Sequence, residues 1–382
     1  VKEIESVIKH ETMAIVKALA EQAGEAGRYC HLGLTSNDVL DTALALQVRD
    51  ALKVVERKLW ELTDVLAELT LKYKETVMVG RTHGQHAGVI TFGLKTAVWL
   101  EEVLRHIKRF HSVLDRFLVG KILGVVGTGA ALGSKALEVQ RLALEKLGLK
   151  PAGAVTQIVQ RDLHAELVFT LALIGCTLEK IALEIRNLQR PEIGEVYEPF
   201  GEKQVGSSAV PSKRNPITCE KICSLARLLR SLVNVAMENI ALWHERDLTN
   251  SANERFTIPF SIILLDEMLK STLKVLRGLE VYPERMLKNL ELSKGLVMAE
   301  RVMMKLFEKG LGRQEAHEEV RKASLKAVRE GKPFKEALLE NKVISQLLSE
   351  EEISSLLDPL TYLGSTMEII DSVLSKYRAL RG

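Results

Sequence analysis

The chain predicts an all-α fold, and three observations carry that reading. Aromatic residues make up 5% of the 382 positions, while Leu, Ala, Glu, Lys, Val and Arg dominate, as in long packed helices rather than sandwiches or barrels. Apolar residues recur at helical spacing over unusually long segments. The stretches between those segments are short and rich in Gly, Pro and polar residues.

Taken in order, residues 1–35 read as a short helical N-terminal part, VKEIESVIKHETM, that opens on Val inside an amphipathic pattern. That opening carries no signal peptide, and further residues are expected ahead of it. From Ser36 to about Val79 the residues Leu44, Val48, Ala51, Val55, Leu59, Leu62, Leu66 and Leu69 mark an apolar face. Val39, Ala43, Leu46, Asp50, Val54, Arg57 and Glu61 drift to solvent. This is one helix of roughly 40 residues, near 60 Å at 1.5 Å per residue. Four more segments, at about 88–118, 161–190, 216–247 and 254–278, complete a set of five long helices expected to form a bundle over residues 36–280. The 161–190 segment is apolar around most of its circumference, which predicts burial inside a homo-oligomer. After VYPERM the pattern shifts to shorter helices with glycine breaks, a separate C-terminal domain over 281–382.

The formal charge is +3, with no block of like charges, so neither nucleic acid nor another polyanion is expected as a partner. The longest charge-free apolar run, Leu167–Leu178, is too short to span a membrane. Cys30, Cys176, Cys219 and Cys223 show no metal or CxxC spacing, so reduced thiols in a cytoplasmic protein are the expectation.

Four polar segments carry chemistry. In GSSAVPSKRNPITCE (206–220) Asn215 is placed to cap the following helix with Pro216 at its first position, aiming the helix's positive end into a Gly-Ser-Ser loop. Lys213 beside two hydroxyls lowers the cost of an alkoxide at Ser207 or Ser208. A tight loop before a capped helix would use the same residues. In GRTHGQHA, His83 and His86 sit among glycines. No third ligand stands at metal spacing, so proton transfer suits a histidine there better than zinc. In HLGLTSND, Thr35 or Ser36 caps the longest helix, and the second hydroxyl is free for a bound carboxylate. ERDLTNSANER places Arg246, Ser251 and Arg255 around a polar turn, suited to a phosphate or to a solvated ion-pair cluster. The glycine run GVVGTGAALG lacks the flanking βαβ pattern of a dinucleotide site.

In this order, HETMA (10–14), HLGLTSND, GRTHGQHA, TQIVQRD (156–162), GSSAVPSKRNPITCE and ERDLTNSANER resemble the fumarase/aspartase superfamily, and within it the branch that cleaves adenylosuccinate. The C-terminal KGLGRQEAHEEVRKASLKAVREGKPFKEALLE is similar to the third domain of that branch. The resemblance implies a three-domain lyase assembled as a homotetramer, with active sites shared between subunits and no cofactor or metal. It implies elimination of fumarate from adenylosuccinate and from succinylaminoimidazolecarboxamide ribotide.

By the same resemblance Ser207 is the base, His83 the acid, and Glu220 its orienting partner, with Lys213 and Asn215 on the succinyl carboxylates and His10 assisting. Thr35, Ser36, His31, Thr82, Gln157, Ser208, Arg246, Ser251 and Arg255 are implied as substrate-binding residues. The sequence departs from the family pattern at Val210 (usually Met), Ser212 (often His or Tyr), Lys9 and Glu11, and Asn250 (frequently His). Argininosuccinate lyase and a non-catalytic structural paralogue are the competing readings. The phosphate-suited cluster and HETMA argue against the first, and the intact set Ser207, Lys213, Asn215, His83 and Glu220 against the second.

Overall fold

The computed structural model describes residues 1–382, and helices account for most of it. Two short helices, α1 (Lys2–Ile8) and α2 (Glu11–Gln22), precede α3 (Ser36–Lys72). A hairpin of β1 (Val77–Thr82) and β2 (Gln85–Thr91) follows, then α4 (Phe92–Phe117), strand β3 (Val119–Gly120), α5 (Ala136–Leu147) and strand β4 (Lys150–Pro151). The next elements are α6 (Asp162–Leu188), β5 (Val196–Tyr197), α7 (Ile217–Glu238), α8 (Ser251–Arg277) and β6 (Glu280–Val281). β3 pairs with β4 in parallel, and β5 with β6 antiparallel. Seven shorter helices follow, α9 (Pro283–Glu291), α10 (Ala299–Glu308), α11 (Arg313–Glu330), α12 (Phe334–Leu339), α13 (Lys342–Leu347), α14 (Glu350–Leu356) and α15 (Thr366–Arg381).

The expected faces of α3 hold: Val48, Val55, Leu59, Leu62 and Leu66 are buried, while Asp50, Val54 and Arg57 are exposed. Its end does not, because the helix stops at Lys72 rather than near Val79. Residues 77–91 form a hairpin where a helix end, a loop and a helix start were expected. The physical reason is the β-branched run on each side of GRTHGQHA, which buries Val77 and Val79 against Leu290, Val297 and Met298. His83 and Gly84 both have positive φ (52° and 74°) between paired Thr82 and Gln85, the two-residue connection whose twist matches a hairpin. Gly93 is required just after it, since a Cβ there would lie 2.6 Å from Lys74 Cα.

The fourth long helix is also shorter than expected. It ends at Glu238, and the residues beyond it are held as a turn by side chains, the Asn239 and Asn253 amides pairing reciprocally (2.6 and 2.9 Å) and Asp247 accepting from the Trp243 N–H at 2.7 Å. In α6 most of the apolar circumference, including Leu167, Leu171, Leu178 and Ile185, is buried within the single chain. Its exposed apolar side chains reduce to Phe169 and Leu183, so a partner copy is not needed to cover most of it.

By contacts the chain divides into two compact units, with boundaries that fall inside the five long helices. Unit 1 comprises 1–59, 106–176 and 224–269, and unit 2 comprises 60–105, 177–223 and 270–382. Within unit 1, Lys58 pairs with Asp266 and Arg116 with Glu166, tying α3 to α8 and α4 to α6. Within unit 2, the C-terminal helices share a core built around Leu306, Phe334, Leu338 and Ile353. No helix is long and apolar enough to cross a membrane.

Candidate active site

In unit 1 a connected polar network surrounds the starts of α3, α6 and α8. Arg161, just ahead of α6, donates to both oxygens of Asp41 (2.9 and 3.0 Å) and to both oxygens of Glu254 (2.8 and 3.1 Å). The guanidinium is 3% exposed, so two carboxylates and one cation satisfy each other out of water. Burial works to raise the Glu254 carboxyl, but His164 and Arg161 outweigh it and hold it at about 2. Asp41 also accepts from Asn37 at 3.2 Å, and Asn37 in turn accepts from Arg246 at 2.8 Å. Arg246 donates at 3.1 Å to Gln157, which brings together two residues expected to bind substrate. Burial and the neighbouring Arg161 charge lower the Arg246 pKa, and its Nε is buried without a partner.

At the start of α3 the capping group is Asp38, not a hydroxyl. Its carboxylate accepts from the Thr35 N–H at 2.7 Å and from the N–H groups of Leu123 and Gly124 at 3.0 Å, and it pairs with the fully buried Lys121. The expectation of a Thr35 or Ser36 hydroxyl as cap is therefore corrected: an acid three residues into the segment reaches back more directly. His10 caps α2, its Nδ1 accepting from the Met13 N–H at 3.3 Å. His31 has a positive φ of 66°, and its Nε2 is buried and unpartnered. Ser251 opens α8. Arg255 is 69% exposed and only 4.0 Å from Glu11, a weak tie. Asn250 is fully buried, and neither of its amide atoms has a partner.

In unit 2 the Gly-Ser-Ser signature loop of GSSAVPSKRNPITCE is held at its neck and by few bonds elsewhere. Asn215 donates to the Gly206 carbonyl at 2.9 Å. A side chain at Gly206 would meet the Lys213 carbonyl oxygen at 2.0 Å, so only glycine closes this ring. Within it the half-buried Ser207 Oγ accepts from the N–H groups of Ala209 (3.3 Å) and Val210 (3.1 Å). Two amides aimed at one hydroxyl oxygen favour negative charge on it. Ser208, Lys213 and Glu220 are exposed.

The capping role expected of Asn215 belongs instead to Glu198. That buried carboxylate accepts from the first α7 amides, Thr218 N–H at 3.0 Å and Cys219 N–H at 2.9 Å. Gln189 braces it by accepting from the Glu198 N–H at 3.0 Å and donating to the Arg214 carbonyl at 3.0 Å. The positive end of α7 is thus already occupied by an internal anion, so it does not face the loop unspent. Burial, followed by the Glu198 charge, pushes the Cys219 thiol far up and leaves it inert.

His83 and Thr82 lie exposed at the hairpin tip. Arg81, just before them, donates to both oxygens of the buried Glu195 (3.0 and 2.7 Å), which also accepts from Asn289 at 2.8 Å. Burial, then the Arg81 charge, lowers the His86 pKa and so favours the neutral ring. No three His, Cys, Asp or Glu residues gather as metal ligands.

Of the expected site residues, unit 1 holds His10, His31, Thr35, Ser36, Gln157, Arg246, Ser251 and Arg255, while unit 2 holds Thr82, His83, Ser207, Ser208, Lys213, Asn215 and Glu220. Sequence reading missed Asp38, Asp41, Arg161, Glu198 and Glu254 as organising groups. Arg161 and Glu254 stand inside motifs that were noticed, but only the fold reveals that they pair.

Residues 2–229 match a family model described as lyase, and residues 295–373 match one described as the adenylosuccinate lyase C-terminus. The chain is 55% identical to the adenylosuccinate lyase of Pyrococcus abyssi, covering 98% of this chain and 83% of the relative. It is 48% identical to that of Methanothermobacter thermautotrophicus, covering 98% and 84%. Among solved structures, a fumarate lyase from Mesorhizobium superposes with a TM-score of 0.90 at 35% identity, covering 98% and 84%. A 3-carboxy-cis,cis-muconate lactonizing enzyme from Pseudomonas putida gives 0.88 at 34%, covering 100% and 85%. Composition, helical architecture, the signature loop and both matched regions agree: the chain belongs to the adenylosuccinate lyase family.

Proposed function

We propose that the chain splits adenylosuccinate into AMP and fumarate, and succinylaminoimidazolecarboxamide ribotide into aminoimidazolecarboxamide ribotide and fumarate. The observation that carries this reading over argininosuccinate cleavage is the match of residues 295–373 to the adenylosuccinate lyase C-terminus, because the longer match carries only the general description of a lyase.

The elimination removes a proton from the carbon beside a carboxylate, and the electron pair passes through an aci-carboxylate carbanion before the C–N bond breaks. Ser207 takes that proton, supported by the two amides on its Oγ. Lys213 and Asn215 bind the succinyl carboxylates, so the charge developing in the transition state meets fixed donors, and this electrostatic stabilisation contributes most to catalysis of this kind. His83 delivers a proton to the departing nitrogen, with Glu220 orienting it and His10 assisting. Thr35, Ser36, His31, Thr82, Gln157, Ser208, Arg246, Ser251 and Arg255 hold the nucleotide and succinyl parts. No cofactor enters these steps.

The same reading makes the protein a cytoplasmic homotetramer with sites shared between subunits, organised as residues 1–35, 36–280 and 281–382. Exposed Phe256, Phe260 and Ile263, spaced along one face of α8, support burial against another copy. The test is fumarate release by purified protein offered adenylosuccinate and argininosuccinate separately. Release from adenylosuccinate alone is expected. Release only from argininosuccinate moves the substrate, and release from neither favours a structural paralogue.

A further inference from the structure

Unit 2 contains an open cavity of about 1040 Å³ beside the signature loop. Lys213, Asn215 and Glu220 line it, together with four arginines: Arg186, Arg190, Arg214 and Arg285. Three of those arginines are already engaged. Arg190 pairs with Glu192 at 3.2 Å, Arg214 pairs with Glu280, and Arg285 donates to the Ile193 carbonyl at 2.9 Å and the Glu192 carbonyl at 3.2 Å. The side chains of Arg186 and Lys213 make no hydrogen bond or ion pair. Arg186 is half-buried on the last turns of α6, a rigid support. It stands near enough to the first turn of α7 for its charge to oppose the burial that raises the Cys219 thiol.

We infer that Arg186 is a further substrate-binding residue, pairing with Lys213 to form a two-cation clamp for a four-carbon dicarboxylate. The inference rests on the function proposed above and deepens it. A succinyl group carries two carboxylates, and Lys213 is a single point charge. Asn215 carries no charge and commits one of its two amide hydrogens to the Gly206 carbonyl, and Glu198 has taken the first α7 amides. The second carboxylate therefore needs another unspent cation on the same cavity, and Arg186 is the one present. Its planar fork engages a carboxylate through two parallel hydrogen bonds, a geometry a lysine cannot copy.

Two readouts on the full chain test this, calorimetric binding of succinate and the steady-state kinetics of fumarate release from adenylosuccinate. Arg186→Gln is expected to weaken succinate binding and raise KM by about tenfold or more, with kcat changed by less than about threefold. Arg186→Lys should restore part of the affinity and guards against a Gln variant that fails to fold. Succinate affinity within about twofold of wild type in both variants, or no succinate binding by the wild type, overturns the clamp. Succinate binding that depends on Arg186, in a protein that releases no fumarate from adenylosuccinate, upholds the clamp and removes the proposed reaction instead.

Discussion

The two groups of site residues are organised in opposite ways. Around Arg161 in unit 1, almost every polar atom is spent on a neighbour: two carboxylates, a guanidinium and the Asn37–Arg246–Gln157 relay lock one another. Around Ser207 in unit 2, one side-chain bond closes the neck of the loop, and the charged groups Lys213 and Glu220 stand unpaired in solvent. A network this heavily paired, with only the Arg246 Nε among its guanidinium and relay groups left over, holds a shape. A loop tied at its neck and at Arg214 leaves Lys213 and Glu220 without internal partners. The contrast is what the proposed reaction asks for, with fixed residues on the nucleotide and poised residues on the developing charge.

Substitutions separate the two regions. Ser207→Ala should reduce fumarate release by about 10²–10⁴-fold while leaving thermal unfolding unchanged; turnover near wild type would remove Ser207 as base. Arg161→Met should do the reverse. It leaves Asp41 and Glu254 buried without their cation, and a stability loss of about 3–5 kcal/mol is expected in urea unfolding. A loss under about 1 kcal/mol would mean that the network is not the rigid partner in this comparison.

Acid should find the same network. Glu254 has a folded pKa lowered from 4.5 to about 2, so its contribution is present above the unfolded value and disappears as pH falls from about 4.5 to 2. The size is about 3 kcal/mol, and Glu254→Gln should remove that dependence from a pH series of melting curves. The smallest effect is expected at Arg255, which is mostly exposed. Arg255→Ala should raise KM for adenylosuccinate about tenfold with stability within about 0.5 kcal/mol. An unchanged KM counts against a phosphate role.

Much of the fold was legible because helical periodicity is a local signal. The buried face of α3 matches the predicted stripe at Val48, Val55, Leu59, Leu62 and Leu66. The hairpin at 77–91 was not legible, since its glycines and histidines resemble a loop until Val77 and Val79 are seen to pack on residues more than two hundred positions away. The residue types of the site were legible in the same local way. Their working partners were not, because Glu198 caps a helix that starts 19 residues later, and Arg161 joins Asp41 to Glu254 across more than two hundred positions.

Sequence alone therefore determined the helical class, the order of the motifs and the family, since each rests on neighbouring residues and their spacing. Tertiary structure decided which charges are spent and which remain available. Asn215 closes a loop instead of capping a helix, Glu198 occupies the start of α7, and Arg186 is left over in the cavity that Lys213 also lines. Hydrogen-bond partners and buried charge balance depend on groups far apart in the chain, and only folding brings them within about 3 Å of each other.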